Sequence, residues 1–388
     1  MSKGVKIFFS IIVFLALLGS SFIGIIFTSL IGEGKFYAPL IAVTGLMLFV
    51  FFVVVIFKIG SRKSLKIAII SYLILAVVAI GGYESYDAYK ESLQIANDTE
   101  EDLYQYQPFA ADTKAVSLGE PATLRLEDDL PILDGATALY PLYSAFVQAT
   151  YPEKSYDIYG SEVMANKTNM AYQNLFDGVV DIIFVAGPSE RQLQEAESRG
   201  LKLSMTPIGR EAFVFFVNAK NPIKNLTVEQ IQGIYSGKIT NWKEVGGNNE
   251  KIRAFQRPDD SGSQTALENL MEDVPLMVPP KEDIVTGMGG IIEQTANYHN
   301  YKNAIGYTFR FFSNEMVQNG KIRHLEINGV FPEKETIRNG EYPIAAEFYA
   351  ITAGTDNPNV DRFIEWILSE QGQALIEKTG YVPVKEFK

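Results

Sequence analysis

Two short stretches of this chain put donors of hydrogen bonds where an anion could use them. In Phe255-Gln-Arg-Pro-Asp-Asp-Ser-Gly-Ser-Gln-Thr-Ala266, an arginine arrives from a strand candidate just before a Ser-Gly-Ser turn that can open a helix. Ser261, Gly262 and Ser263 would then expose unpaired backbone N–H groups at the positive end of that helix. Arg257 adds a planar cation that forks onto tetrahedral oxyanions. In Leu133-Asp-Gly-Ala-Thr-Ala-Leu-Tyr-Pro141, an apolar strand runs through a glycine turn into a helix, with Pro141 in the first turn where proline is tolerated. Gly135, Ala136 and Thr137 offer backbone donors there, and Thr137 a hydroxyl. A third junction, Met164-Ala-Asn-Lys-Thr-Asn-Met-Ala171, places Thr168 or Asn169 where either can cap the next helix. Each junction alone reads as an ordinary N-cap. Brought together with the arginine, they would make an anion-binding cleft.

Other chemistries lack their parts. The chain has no cysteine, which removes a disulfide framework, a thiolate zinc site, a cysteine nucleophile and a lipid anchor on cysteine. Its two histidines, His299 and His324, are far apart and have no metal-ligand spacing. Neither a Gly-x-Ser-x-Gly elbow nor a phosphate-binding Gly-x4-Gly-Lys-Ser/Thr loop is present. Pairs such as Asp259-Asp260 and Glu282-Asp283 read as solvated loop charges. A phosphate-ester hydrolase, the rival class, would need a metal cluster or an activated nucleophile. The expectation is a binding protein without metal or cofactor. A formal charge of −12 argues against nucleic acid as a partner.

The elements that must position these junctions are short apolar runs alternating with helical stretches, beginning near Ala115. Strand candidates are Pro131–Leu133, Ile182–Val185, Ala212–Val217 and Phe348–Ile351; helix candidates are 138–150, 168–177, 227–235, 263–271, 289–298 and 358–378. Alternation of this kind predicts an α/β body with mostly parallel sheets. The roughly 270 residues of the body suggest two lobes rather than one.

The first 83 residues belong to another solvent. They hold seven basic residues and one acid, Glu33, a net of +6, so the remaining 305 residues carry −18. No charge occurs over Ile7–Gly32, Phe36–Phe57 or Ile67–Tyr83, stretches of 26, 22 and 17 residues. A bilayer core takes about 20 apolar residues in a helix. Three transmembrane helices are expected at about 7–31, 36–57 and 66–83. The first run is too long for the apolar part of a cleaved signal peptide, and two more spans follow it. Lys3, Lys6 and the four positives of Lys58–Lys66 place the N-terminus in the cytoplasm and the body outside. Residues 84–114, polar and acidic, read as a linker that could prolong the third helix as a stalk.

Several segments then read as a set. Asp134-Gly-Ala-Thr-Ala-Leu-Tyr-Pro-Leu-Tyr, Asn218-Ala-Lys-Asn-Pro-Ile, Ile234-Tyr-Ser-Gly-Lys-Ile-Thr-Asn-Trp242, Arg257-Pro-Asp-Asp-Ser-Gly-Ser-Gln-Thr, Ala304-Ile-Gly-Tyr307 and Gly380-Tyr-Val-Pro-Val resemble, in this order, the substrate-binding proteins of phosphate ABC transporters. The resemblance covers nearly the whole body. It implies a class II periplasmic-binding-protein-like fold, with lobe 1 at about 115–212 plus 346–388, lobe 2 at about 213–345, and crossings near 211–217 and 343–351. It implies a site of Thr137, Ala138, Thr168 (or Asn169), Arg257, Ser261, Gly262 and Ser263 closing on inorganic phosphate or a similar oxyanion, and ABC transporter permease subunits as partners. A three-span anchor is not the family's usual tether, which leaves a second possibility: an anion sensor reporting to a membrane kinase. The family also keeps an aspartate beyond a Val-Asp strand to accept the anion's proton. Here Val180-Asp181 is followed by Val185, Ala186 and Gly187, so that acceptor is missing, and Glu162 and Glu190 are the candidate replacements. Asp181 itself is expected to tie the strand end to a neighbouring helix.

Overall fold

The structure, a computed structural model, describes residues 2–30, 34–93, 102–280, 283–285, 292, 295 and 302–387. The helix expected at 289–298 falls almost wholly outside these residues, as do Glu282 and His299. The chain divides into two compact units, Met1–Gln94 and Ile95–Lys388.

The first unit is three helices, α1 Lys3–Leu30, α2 Gly34–Phe57 and α3 Arg62–Leu93. Each contains a stretch long and apolar enough to cross a membrane, with mean hydropathies of 2.5, 3.1 and 2.3. Several of their hydroxyls are satisfied within the helices or between them. Ser10 and Thr28 donate to carbonyls one turn back, at Lys6 (2.9 Å) and Gly24 (3.0 Å). Thr44 and Tyr72 share a 2.7 Å bond that joins α2 to α3. Phe36 stacks on Tyr83 at 4.0 Å and Tyr37 donates to Glu84, so an amphipathic aromatic cluster marks one end of this pair. The third helix runs ten residues past the expected span, through the first part of the acidic stretch.

The second unit begins with a 3-10 turn at Leu103–Tyr106 that buries Leu103 and Tyr106. Gln107 Nε2 donates to the Tyr156 carbonyl (2.6 Å) and the Lys114 N–H to the Gln105 carbonyl (2.7 Å). The linker expected as far as residue 114 is therefore already part of the folded body from Leu103. The acids of the stretch lie before Leu103, all but Asp112, whose charge Lys114 cancels, and two large apolar side chains dock the chain.

The body then proceeds through β1 Leu133–Gly135, α4 Tyr140–Thr150, α5 Lys167–Phe176, β2 Ile182–Val185, α6 Glu190–Ser198 and the long β3 Ser204–Asn218. It continues with β4 Asn225–Leu226, α7 Val228–Tyr235, β5 Arg253–Ala254, α8 Gly262–Met271, β6 Ala304–Phe309, β7 Ile322–His324 and β8 Glu326–Ile327. The last elements are α9 Lys334–Arg338, β9 Ala345–Thr352, α10 Val360–Ile367, α11 Glu370–Thr379 and β10 Val382–Pro383. The single helix expected over 358–378 is thus two, separated at Leu368–Ser369.

The main sheet has the order β1-β2-β9-β3-β6-β5, with β7 and β10 also on β3. Only β1·β2 and β5·β6 are parallel within it; β2·β9, β3·β9, β3·β6, β3·β7 and β3·β10 are antiparallel. The expectation of mostly parallel sheets is corrected to a mixed sheet. The reason is β3: residues 204–212 pair with β9, and residues 213–218 pair with β6 and β7. One strand thus passes from one half of the body to the other, changing partners between Ala212 and Phe213, and β9 returns beside it from Ala345. Strands that cross and come back are necessarily antiparallel.

Both faces of the strands are covered, which is why their sequences read as continuous apolar runs. Ile182 and Phe184 of β2 face a core holding Leu133, Phe146 and Trp366, while Ile183 and Val185 face Tyr172 and Leu175 of α5. A separate core around Phe215, Tyr235, Leu267 and Tyr307 fills the second half.

Candidate functional site

The end of β1 is fixed by two features. A Cβ on Gly135 would sit 2.5 Å from the Phe184 carbonyl and 3.1 Å from Tyr143, so only glycine lets β1 lie this close to β2. Asp134 is fully buried and accepts from the Asn166 N–H (2.7 Å), Asn166 Nδ2 (3.0 Å), Asn174 Nδ2 (2.8 Å) and the Gly135 N–H (2.8 Å). A buried carboxylate paid with four donors is satisfied. It welds β1 to both ends of α5's first two turns. The chain leaves Asp134 through a 3-10 turn, Thr137–Leu139, that leads into α4 with Pro141 at its start. Ala138 is buried and Thr137 half-buried.

Thr168 lies in the first turn of α5 and is buried, whereas Asn169 is exposed. Of the two alternatives, Thr168 is the one facing inward. Opposite it stands Gly262, the first residue of α8: a Cβ there would lie 3.1 Å from Thr168 Oγ1. Ser261 caps α8 by accepting from the Gln264 N–H (3.3 Å), and Ser263 is buried in the first turn. The helix starts at Ala138, Thr168 and Gly262 thus meet at one cavity of about 30 Å³ between the halves. Arg257 does not line it. The arginine is buried, its N–H donates to Tyr307 Oη (2.9 Å) and Gln264 Oε1 (3.0 Å), and its Nη1 donates to the Val285 carbonyl (3.1 Å). Ser261, Ser263 and Thr137 flank the cavity's wall residues in sequence without being among them.

The cavity has an acid that neither the pattern nor the spacing singled out. Glu211, on β3 one residue before the change of partners, lines it together with Glu347 of β9. Glu211 is 5% exposed; its Oε1 accepts from the Ala212 N–H (2.8 Å) and its Oε2 from the Phe311 N–H (3.0 Å). Burial pushes its carboxyl up to about 7, against the pull of Arg310, the two N–H groups and Lys334. The two replacements suggested by sequence lie elsewhere. Glu162 is paired with Lys154 (2.7 Å), which holds its carboxyl below the ordinary range although partial burial works the other way. Glu190 is exposed in the first turn of α6. Asp181 accepts from the Ile132 N–H (2.8 Å), Asn357 Nδ2 (3.3 Å) and Thr355 Oγ1, so it ties the strand end to the neighbouring strand and to the loop before α10.

At the edge of the cleft the halves also touch. Asp260, buried, with φ +59°, accepts from Ser189 Oγ (2.7 Å) and pairs with Arg191. Ser189 opens α6 with a capping box to Gln192. That Ser-x-x-Gln signal was present in the sequence and would have located α6, which the apolar pattern did not. Among the described residues, no group of three metal-ligating side chains occurs.

Two α/β halves, joined by strands that cross and return, and three helix starts aimed into the cleft between them define a bilobal solute receptor for an anion. Residues 132–371 match the model of the PBP superfamily domain, and the chain belongs to that superfamily. It is 27% identical over 280 residues to the phosphate-binding protein PstS of Borreliella burgdorferi, covering 70% of this chain and 91% of that one. Against the phosphate-binding protein PstS of Bacillus subtilis the identity is 28% over 262 residues, 66% of this chain and 81% of the relative. A crystal structure from Clostridium perfringens, described as a phosphate ABC transporter substrate-binding protein with bound phosphate, superposes with a TM-score of 0.50 at 26% identity, over 65% of this chain and 98% of that one.

Proposed function

We propose that this chain is a membrane-anchored solute-binding protein that captures inorganic phosphate outside the cytoplasm and delivers it to the permease subunits of an ABC transporter. The observation that carries the reading is the meeting of three helix starts, from both halves, at one cavity over the crossing strands. Helix starts concentrate unpaired N–H donors and positive potential, which suit an anion and cost nothing to reorganise. The relatives named for phosphate binding give the anion its identity. Residues 1–83 serve as the anchor, crossing three times with the N-terminus inside. The basic loop at Lys58–Lys66 supports that orientation, and the Phe36–Tyr37–Tyr83 cluster at the other end of α2 and α3 supports an interface there.

In this reading Ala138, Thr168 and Gly262, which line the cavity, supply donors from the two sides, and Thr137, Ser261 and Ser263 belong to the turns that present them. Arg257 supplies positive charge from behind α8. Glu211 takes the part of the missing aspartate: its carboxylate accepts the O–H that phosphate keeps near neutral pH. Sulfate has no such proton, so it enters only if Glu211 is itself protonated. The sign follows from a carboxyl raised to about 7. Below that pH Glu211 carries a proton already and sulfate is tolerated; above it each pH unit costs sulfate about tenfold. Calorimetry on the full-length protein in detergent, stripped of anion, tests both parts. Phosphate binds at one site at all pH values from 6 to 8.5, and the phosphate-to-sulfate ratio rises about tenfold per unit above pH 7. Absence of phosphate binding would sink the function; a ratio independent of pH would remove Glu211 from it.

A further inference from the structure

We infer that the end of the membrane unit where α1 begins is a docking surface for anionic phospholipids, whose headgroup phosphates it gathers around six cations. The inference lies outside the binding function and rests only on the reading of residues 1–83 as the anchor. Lys3 and Lys6 lie at the start of α1, Lys58 follows the last residue of α2, and Arg62, Lys63 and Lys66 lie at the start of α3. The fold brings these three places to one end. Lys6 Nζ stands 5.6 Å from the centre of the Phe57 ring, which sets the start of α1 against the end of α2. The turn into α3 is short. Ile59 N–H donates to the Val54 carbonyl (2.9 Å), Lys58 sits in the left-handed region at φ +56°, and Ser61 Oγ accepts from the Ser64 N–H (3.1 Å) as α3 opens.

The chain does not neutralise this end. The six cations form no ion pair among the described residues, whose ion pairs all lie between Lys154 and Glu386. All but Lys6 are exposed, and the nearest acids in the sequence, Glu33 and Glu84, come after charge-free runs. Like charges also stand on neighbouring turns, Lys3 with Lys6, Lys63 with Lys66 and Arg62 with Lys66, where helical side chains repel. Cations in a first turn oppose the helix dipole as well. Local rules broken in this way, without compensation inside the protein, point to an anion from outside. Depth says which anion. Lys6 directly precedes the charge-free run from Ile7, Lys66 the one from Ile67, and Lys58 directly follows the one that ends at Phe57. All three runs therefore stop beside a lysine at the boundary where a bilayer carries its phosphates. Lys3 and Arg62 lie about 5 Å further out along their helices. A zwitterionic lipid brings its own ammonium, which unpaired cations repel; an anionic lipid brings phosphate alone. The opposite end is built differently, with Phe36, Tyr37 and Tyr83 clustered and Lys35 two residues after Glu33.

Electron spin resonance on the full-length protein in bilayers, with spin-labelled phosphatidylglycerol and phosphatidylcholine as probes, measures how much of each lipid the protein holds. Expected at low salt is an association about threefold or more in favour of phosphatidylglycerol, falling towards equality in about 1 M NaCl, where charges are screened within about 3 Å. A variant carrying Lys58→Gln, Arg62→Gln, Lys63→Gln and Lys66→Gln loses most of the preference, and one carrying Lys63→Arg and Lys66→Arg keeps it. The salt titration uses the parent protein, so it decides even where the glutamine variant inserts poorly. Potassium phosphate at matched ionic strength lowers the preference no more than NaCl does. A stronger loss in phosphate would reassign the patch to the free anion and overturn the inference. Equal association of the two lipids at low salt, or a preference untouched by the four glutamines, would overturn it too and leave the anchor intact. Absence of protein-held lipid of either kind would overturn the three-span anchor itself.

Discussion

The two helix starts that face each other across the cleft are made in opposite ways. At α8 the sequence does the work locally: Ser261 precedes the helix and accepts from the Gln264 N–H three residues on. At α5 the residue in the capping position, Asn166, caps nothing with its own side chain. Its N–H and its amide both go instead to Asp134, 32 residues earlier, and Lys167 is held at φ +68°. A left-handed non-glycine residue costs roughly 1 kcal/mol or more. One start is thus encoded by four neighbouring residues and the other by a buried carboxylate on a different strand. The lesson is that the cap of α8 is written in its own four residues, even though Asp260 just before it also reaches Ser189 of the other half, while the start of α5 is built by the β1–α5 core.

The sharpest break in this contrast comes from Asp134→Ala. It strips four donors of their acceptor in a buried place, and the body should lose about 3–5 kcal/mol in denaturant unfolding. A loss below 1 kcal/mol would mean that α5 begins where it does without help. Ser261→Ala removes only a cap and should cost about 1 kcal/mol. Equal losses from the two variants would erase the difference between the two starts.

Which parts of this could be read from sequence follows the same division. The Ser-Gly-Ser start and the extent of β2 are local patterns and legible, whereas the third junction leaves Thr168 and Asn169 open until burial separates them. The antiparallel crossing was not, because β3 and β9 are paired over some 140 residues of chain and their apolar runs look like any buried strand. Glu211 sits at the edge of such a run, between Arg210 and Ala212, where an acid reads as a strand end in solvent. Only burial beside the Phe311 N–H reveals it as a cavity residue. Asp134 was visible as part of a turn but not as an anchor, since its partners Asn166 and Asn174 carry no signature of their own. The stretch at 103–114 reads as linker only because the acidity of residues 84–102 is carried across it; its own Asp112 and Lys114 cancel, and Leu103 and Tyr106 are buried.

The contact of Asp260 with Ser189 and Arg191 has a consequence in time rather than in affinity. Ser189 and Asp260 come from opposite halves, so the hydrogen bond exists only while the cleft is shut. Arg191 is 68% exposed and its pairing is screened by solvent, which leaves most of the holding to the buried hydroxyl–carboxylate bond. A bond of that kind contributes about 1.5–3 kcal/mol, enough to make the unlatched, loadable form about 10- to 100-fold scarcer. An arriving anion must wait for that minority, and a bound one leaves only through it. The catch therefore slows entry and exit together. Stopped-flow traces of Ser189→Ala should show both rates rising by about tenfold or more with the equilibrium constant nearly unchanged, and rates equal to the parent protein's would show that the cleft opens without regard to this bond.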